Sequence, residues 1–472
     1  MQTIILRVLK TIITFSILYF SIISNLVSEE VNLNLPPSPS KFNKIQLPIY
    51  QTFTLKNGLK VYLIEDHKLP MISYFLYLDY MPSLQKNKSG LGQLTARLMK
   101  QGAANRSKLQ IDEELDFMGV DFSIEDNLIV ASSLSKYANQ SLEIFSDIVK
   151  YPKFDKDEFL KVQEEMISDI QAEKQNPSAQ VDNITKSLLF PQTHPYSETP
   201  TEKTIKQISL EDCKNYHASY FKPNIAHFAI MGDLKLEEAK RLAESNFGKW
   251  QPGEIPKIKM PKPIALKNTK IYISDRPDSV QSVIRITHSI DLVPGAKDIH
   301  SAVVMNTLLG GGTFRLYQNL REKNGYTYGV YSSLRPDRWA GNFSVDLSTE
   351  TSLTAKSIEE ILNEFKRIRT EKVNSEELQL VKNYLTGQFS LSLENPSTIA
   401  LFGIKTSLYK LPSDYFERYI ESINKVTEED VLRAANKYIP LNKTHIIIVG
   451  KRKALKKNLK PLKKFPLIDL KK

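Results

Sequence analysis

Apolar and polar positions over Gln51–Asp66 alternate as a pair of strands would, with Asn57-Gly58 at the turn, so a β-hairpin opens the patterned part of the chain. Met71–Leu78 is a further β-rich run. Phe154–Lys174, Leu210–Tyr220 and Leu236–Phe247 instead carry apolar residues at helical spacing. The short apolar runs His227–Met231 and His445–Val449 predict buried strands. Strands first, a helix-rich middle, then a helix and a closing strand give an α+β layout. Each sheet is expected to be mixed or antiparallel, with helices covering one face.

The pattern occurs twice. Val61-Tyr62-Leu63-Ile64-Glu65-Asp66 resembles Ile271-Tyr272-Ile273-Ser274-Asp275-Arg276 at an offset of 210, and each is followed by another β-rich run. Glu211-Asp212, Tyr220, Asn224, His227 and Gly232 recur as Glu429-Asp430, Tyr438, Asn442, His445 and Gly450, all at an offset of 218. Matches at both ends of a segment of about 200 residues describe a duplicated domain, not a short solenoid repeat. The two copies are placed at 49–251 and 267–450, joined by a linker at 252–266 that holds Pro252, Pro256, Pro261 and Pro263.

The ends differ from this body. Arg7 and Lys10 precede an apolar run, Thr11–Val27, with no acidic residue before Glu29. Residues 1–28 therefore read as a secretory signal or membrane anchor, and 29–48 as a linker with Pro36, Pro37 and Pro39. The expectation is export, to a bacterial periplasm or to a membrane facing it. Of the net charge of +11, most sits in 451–472, where ten Lys or Arg meet the single Asp469. That run, interrupted by Pro461 and Pro466, reads as a solvated or loosely docked basic tail, and no nucleic-acid partner is expected because a terminal run lacks a folded basic face. A membrane would be met through the N-terminal segment or this tail.

The chain has 472 residues, 41% apolar and 25% charged, which is ample for two cores. One cysteine, Cys213, excludes an internal disulfide framework and a cysteine-based zinc cluster. Cys213 and His217 have ligand spacing on a predicted helix, but the repeat puts Val431 and Ala435 there, so core packing is the expectation. His227 and His445 read as satisfied structural histidines.

Asn57-Gly58-Leu59-Lys60-Val61, Met231-Gly232-Asp233-Leu234 and the segment from Leu308 to Tyr328, LLGGGTFRLYQNLREKNGYTY, are similar to the pitrilysin/insulinase family of zinc peptidases, which includes mitochondrial processing peptidase subunits. The resemblance spans Leu47–Gly450. Active members carry H-x-x-E-H on the first long helix, where two imidazoles hold zinc and the glutamate polarises water. Here the matching stretch is Gly90-Leu91-Gly92-Gln93-Leu94-Thr95-Ala96-Arg97. The ligand positions become Gln93 and Arg97, and the base position becomes Ala96. Arg97 repels a metal ion and Ala96 accepts no proton, so no zinc is expected in this chain and no hydrolysis from it alone. The family's distal carboxylate falls at Asp169.

In the second copy, the resemblance implies that Arg321 and Tyr328 reach peptide substrate, the guanidinium fixing a carbonyl and the phenol donating to the oxyanion. Gly310-Gly311-Gly312 lacks the Lys-Ser/Thr of a phosphate loop and corresponds to the family's glycine turn. The resulting expectation is an incomplete subunit of a heteromeric peptidase acting on peptide or unfolded polypeptide. Its partner is a homologous chain that carries zinc and H-x-x-E-H. The alternatives are a structural core subunit of the same fold or a peptide-binding protein.

Overall fold

The computed structural model describes Leu47 and Tyr50–Leu470. Residues 1–28, read above as a secretory signal or membrane anchor, and most of the expected linker at 29–48 lie outside those residues. Among the described residues, no helix is long and apolar enough to cross a membrane.

The first half is built on strands β1 (Tyr50–Thr54), β2 (Lys60–Glu65) and β3 (Met71–Leu78), a small ribbon of β4 (Gly102–Ala103) and β5 (Arg106–Ser107), then β6 (Asp121–Ile124), β7 (Leu128–Leu134) and β8 (Ala226–Gly232). Its principal helices are α1 (Leu91–Met99), α2 (Lys108–Met118), α3 (Ala138–Lys150), α4 (Lys156–Glu173), α5 (Pro177–Leu189), α6 (Leu210–Tyr220) and α7 (Leu236–Phe247). The second half holds β9 (Lys270–Asp275), β10 (Gln281–Ile290), β11 (Thr327–Arg335), β12 (Gly341–Glu350), β13 (His445–Gly450) and β14 (Leu467–Leu470). With them come α8 (Ile299–Gly310), α9 (Thr354–Thr370), α10 (Ser375–Ser392), α11 (Pro396–Leu408), α12 (Glu428–Tyr438) and α13 (Arg452–Asn458).

The duplication is visible strand by strand. The first sheet runs β1-β2-β8-β3-β7-β6 and the second β14-β9-β13-β10-β12-β11. β2 pairs in parallel with β8, Tyr62 opposite Ala229, as β9 does with β13, Tyr272 opposite Ile447. Both central pairs are therefore buried on two faces, and β8 and β13 are buried at every position. Helix starts repeat too. Ser209 with Asp212 and Thr427 with Asp430 form capping boxes on α6 and α12. Asn176 and Asn395 cap α5 and α11, each followed by proline in the first turn, where no N–H is needed.

Each half packs most of its helices on one face of its sheet, giving two separate apolar cores. The other face is covered by exchange. Ile399, Ala400 and Ile404 of α11 lie on Tyr62, Ile64, Phe75 and Met231 of the first sheet. Val181 of α5, flanked by Ile184 and Leu188, lies on Ile447, Val449 and Val283 of the second. Polar contacts lock the same joint: Arg285 of β10 bonds to Asp182 of α5, and Gln180 Nε2 donates to Ser274 Oγ at 2.6 Å.

The stretch 451–470 is integrated into the fold more closely than the expected solvated or loosely docked tail. Leu455, Leu459 and Leu462 are 0%, 3% and 1% exposed in the second core. β14 pairs with β9 in parallel, Leu467 opposite Ile271. Lysines and prolines dominate the composition of this stretch, but its leucines at i, i+4 and i+7 form a buried helical stripe. β14 takes the place beside β9 that β1 takes beside β2, but β1 is antiparallel to its neighbour.

The histidines divide. His227 Nδ1 is 2.8 Å from the Tyr62 hydroxyl, as a satisfied structural residue should be. His445, at the equivalent position, has neither ring nitrogen hydrogen-bonded, which corrects the expectation for it. Cys213 is fully buried in the first core, and His217 Nε2 is 2.8 Å from the Val149 carbonyl oxygen.

Two measurements follow from this packing. Leu459→Ala is expected to destabilise the chain by about 2–5 kcal/mol in urea unfolding, the cost of a cavity at a buried leucine; a solvated segment would show no change. Burial also pushes His217, His227, His288 and His445 down to about 4. An unfolded histidine titrates near 6.5, so between that value and about 4 the unfolded chain binds more protons. The stabilising preference for neutral imidazole is thus complete above about pH 6.5 and is lost as the pH falls toward 4. The urea midpoint should hold from pH 8 to 7 and decline below 6.5, and a flat profile down to pH 4.5 would contradict this.

Candidate functional site

The helix that carries the altered metal motif is held unusually firmly. Gly90 at the start of α1 has no side chain to cap the helix, and Gln85 supplies the cap: its Oε1 accepts from the N–H groups of Gly90 and Leu91 at 2.9 and 2.8 Å. The Gln85 segment is itself tied down by Glu198, whose carboxylate accepts from the backbone N–H groups of Gln85 and Lys86. Burial pushes the Glu198 carboxyl up, and those two hydrogen bonds oppose it.

One turn further, α1 rests against a carboxylate that the sequence did not point to. Asp126 Oδ1 accepts from the hydroxyls of Tyr80 and Tyr216 at 2.8 and 3.0 Å. Burial raises its pKa, and the two phenols hold it down. A Cβ on Gly92 would lie 2.4 Å from that Oδ1 and 2.8 Å from the Tyr216 hydroxyl, so only glycine lets the helix come this close.

α1 presents Gln93 and Arg97 outward on one face, while Ala96 is 2% exposed. The i, i+4 spacing that would aim two imidazoles at one metal aims an amide and a guanidinium instead. Arg97 Nη1 donates to Asp169 Oδ2 of α4 at 2.7 Å. The structure thus joins two of the residues singled out from sequence, and it joins them as an ion pair. The donor set does not fit zinc: a neutral amide at one ligand position, a fixed cation at the next, and the carboxylate already engaged by that cation. Both side chains of the pair are about half exposed. Its worth is therefore in geometry more than in stability.

Two cavities, of about 920 and 1080 Å³, open along the seam between the halves, and Gln93, Asp182, Lys186 and Pro200 stand in the wall of both. The first reaches from Tyr80 and Asp126 to Arg285, Arg335 and Asp337 of the second half. The second holds Arg97 and Asp169 and ends at Ser274–Asp278 and Leu470. Their walls mix cations, carboxylates and amides, which suits peptide main chain better than an apolar ligand.

Arg321 and Tyr328 line neither of these cavities. Arg321 sits in a π-wound turn, Gln318–Lys323, with its guanidinium over the Tyr317 ring at 4.8 Å and hydrogen-bonded to the Tyr317 hydroxyl. Tyr328 is 90% exposed on β11, the edge strand, within the irregular register between Thr327 and Val330. The sequence reading missed Tyr317, although its i, i+4 relation to Arg321 was available. The glycine turn serves packing: a Cβ on Gly310 would lie 2.8 Å from Leu316 Cδ1 and 3.1 Å from the Ser332 nitrogen of β11.

Comparison with known proteins agrees with this architecture. Residues 83–200 match the model of insulinase (peptidase family M16), and residues 207–385 match that of the peptidase M16 inactive domain. An uncharacterized zinc protease of Bacillus subtilis is 22% identical over 391 residues, covering 80% of this chain and 93% of that protein. The mitochondrial-processing peptidase subunit beta of Saccharomyces cerevisiae is 23% identical over 443 residues, covering 86% and 92%. The crystal structure of a peptidase M16 inactive domain from Pseudomonas fluorescens superposes with a TM-score of 0.77 at 26% identity, covering 85% of this chain and 98% of that one. With two sheets of the same order, reciprocal helices and both family models matched in sequence, this chain belongs to the insulinase family, peptidase family M16.

Proposed function

We propose that this chain is the non-zinc subunit of a heteromeric peptidase and that a homologous chain bearing H-x-x-E-H completes the site. The observation that carries the reading is the Arg97–Asp169 ion pair, which fills the metal position with an internal cation. A relative in this family is named as a subunit, mitochondrial-processing peptidase subunit beta, which makes division of labour a natural model for this chain.

In this reading Arg321 and Tyr328 act in trans. A phenol and a guanidinium that serve another chain's site must project from their own, and both are exposed, Tyr328 at 90%. Tyr328 donates its hydroxyl to the oxyanion that develops on the scissile carbonyl. Arg321 leaves its stacked position on Tyr317 to bind a substrate carbonyl. Substrate is peptide or unfolded polypeptide, laid along the polar seam that Gln93 borders. The body is exported by its N-terminal segment, with Arg7 and Lys10 before the apolar run Thr11–Val27 as the supporting feature.

Metal analysis of the purified chain should find far less than one zinc per molecule. In the complex reconstituted with its zinc-bearing partner, Tyr328→Phe should lower turnover on the order of a hundredfold with assembly unchanged. Arg321→Ala should weaken peptide binding as well, by about 1.5–3 kcal/mol. Unchanged rates for both variants in a fully assembled, zinc-loaded complex would assign this subunit a structural role instead. Fractionation of cells should place the folded body outside the cytosol, and full-length chain in the soluble cytosolic fraction would contradict export.

A further inference from the structure

The lysines after Gly450 are displayed on a folded surface. Lys453, Lys456, Lys457 and Lys460 recur at i, i+3, i+4 and i+7 along α13 and the turn that continues it, and all four are exposed. Leu455, Leu459 and Leu462 occupy the opposite side and anchor it in the second core. Lys463 and Lys464 follow, also exposed. Two acidic side chains beside this face, Asp275 and Asp469, are taken up by Arg452 and by one lysine of the row, Lys456. Arg452 is 3.8 Å from both Asp275 and Asp469, and Lys456 is 2.6 Å from Asp469. Among the described residues, Lys453, Lys457, Lys460, Lys463 and Lys464 form no ion pair.

We propose that this lysine face docks the protein on the anionic phospholipid headgroups of a membrane surface. A row of like charges on a folded helix face, in which Lys456 alone has a carboxylate partner, repels itself unless an anionic partner is present. The kind of cation narrows the partner. Lysine is a compact, hydrated point charge suited to a diffuse layer of phosphates, whereas the forked guanidinium that grips nucleic-acid phosphates and bases is represented here by Arg452 alone, which is turned to Asp275 and Asp469. Apolar side chains stand beside the lysines: Leu467 is 41% exposed, and Pro461 and Pro466 are exposed with it. Such groups rest favourably at headgroup depth and gain nothing on a duplex. The apolar run Thr11–Val27 points the same way from the sequence, but the docking does not depend on it or on the peptidase reading.

The test is partition of the full chain onto vesicles of phosphatidylcholine alone and of phosphatidylcholine with phosphatidylglycerol, at 50 and 500 mM NaCl. Contributions of the N-terminal apolar run are present on both vesicles, so the readout is the ratio between them. Wild type should prefer the anionic vesicles at low salt and lose most of that preference at high salt. Joint replacement of Lys453, Lys457, Lys460 and Lys463 by Gln should reduce the preference by roughly 600-fold, at roughly fivefold per lysine. Replacing Lys203, Lys249, Lys262 and Lys366, exposed lysines elsewhere, removes the same charge and should leave most of it. No anionic preference in the wild type, or equal loss in both variants, would overturn the proposal. Tighter binding of a 20-base-pair DNA duplex than of the anionic vesicles would overturn it in favour of nucleic acid.

Discussion

A sheet of buried parallel and antiparallel strands has two apolar faces, and each half of this protein owns enough helix to cover only one of them. Tyr62, Phe75 and Met231 on the first sheet, and Ile447 and Val449 on the second, would stand in water without a helix from the other half. Exchange of α5 and α11 meets both needs at once and makes the two halves mutually dependent. The seam it creates is where the polar cavities lie, because the walls there are the ends and flanks of exchanged elements: Asp182 and Lys186 of α5 face Arg285 of β10 and Asp275 of β9. The site is thus a by-product of the way the sheets are covered.

The sequence carried the repeat, the strand pairs and the principal helices in plain view, since each depends on local periodicity or on identical residues at a fixed offset. Phe154–Lys174 was expected as helix and α4 occupies Lys156–Glu173. The helix exchange was not legible, because an apolar stripe such as Ile399, Ala400 and Ile404 says that a partner face exists without saying whose. The repeated Asn176-Pro177 and Asn395-Pro396 starts would have shown α5 and α11 to be counterparts, yet not that they trade places. Misreading of 451–470 had a different origin: net charge dominates a short window, although Leu455, Leu459 and Leu462 alone decide where the segment lies.

At the site, chemistry was legible and geometry was not. Gln93, Ala96 and Arg97 could be recognised as a lost metal set from residue type, and Asp169 from resemblance. That Arg97 would turn to Asp169 needs the distance between α1 and α4, which no spacing along the chain encodes. Asp126 escaped notice because its partners Tyr80 and Tyr216 come from distant segments. The glycine beside it, Gly92, is where the helix backbone comes close enough to exclude any side chain.

The two sheets differ in when they can be finished. β1 leaves the ribosome immediately ahead of β2 and protects that edge as soon as the hairpin forms. β9 has no such neighbour; its free edge waits until the whole stretch from Asp275 to Leu467 has been made. At about 5–20 residues per second that wait is on the order of ten seconds or more. Through it β9 offers unpaired N–H and C=O groups to any strand that passes. The second half is therefore the slow, sticky half of biosynthesis, and the segment from Arg452 to Leu470 acts as the clasp that ends its exposure.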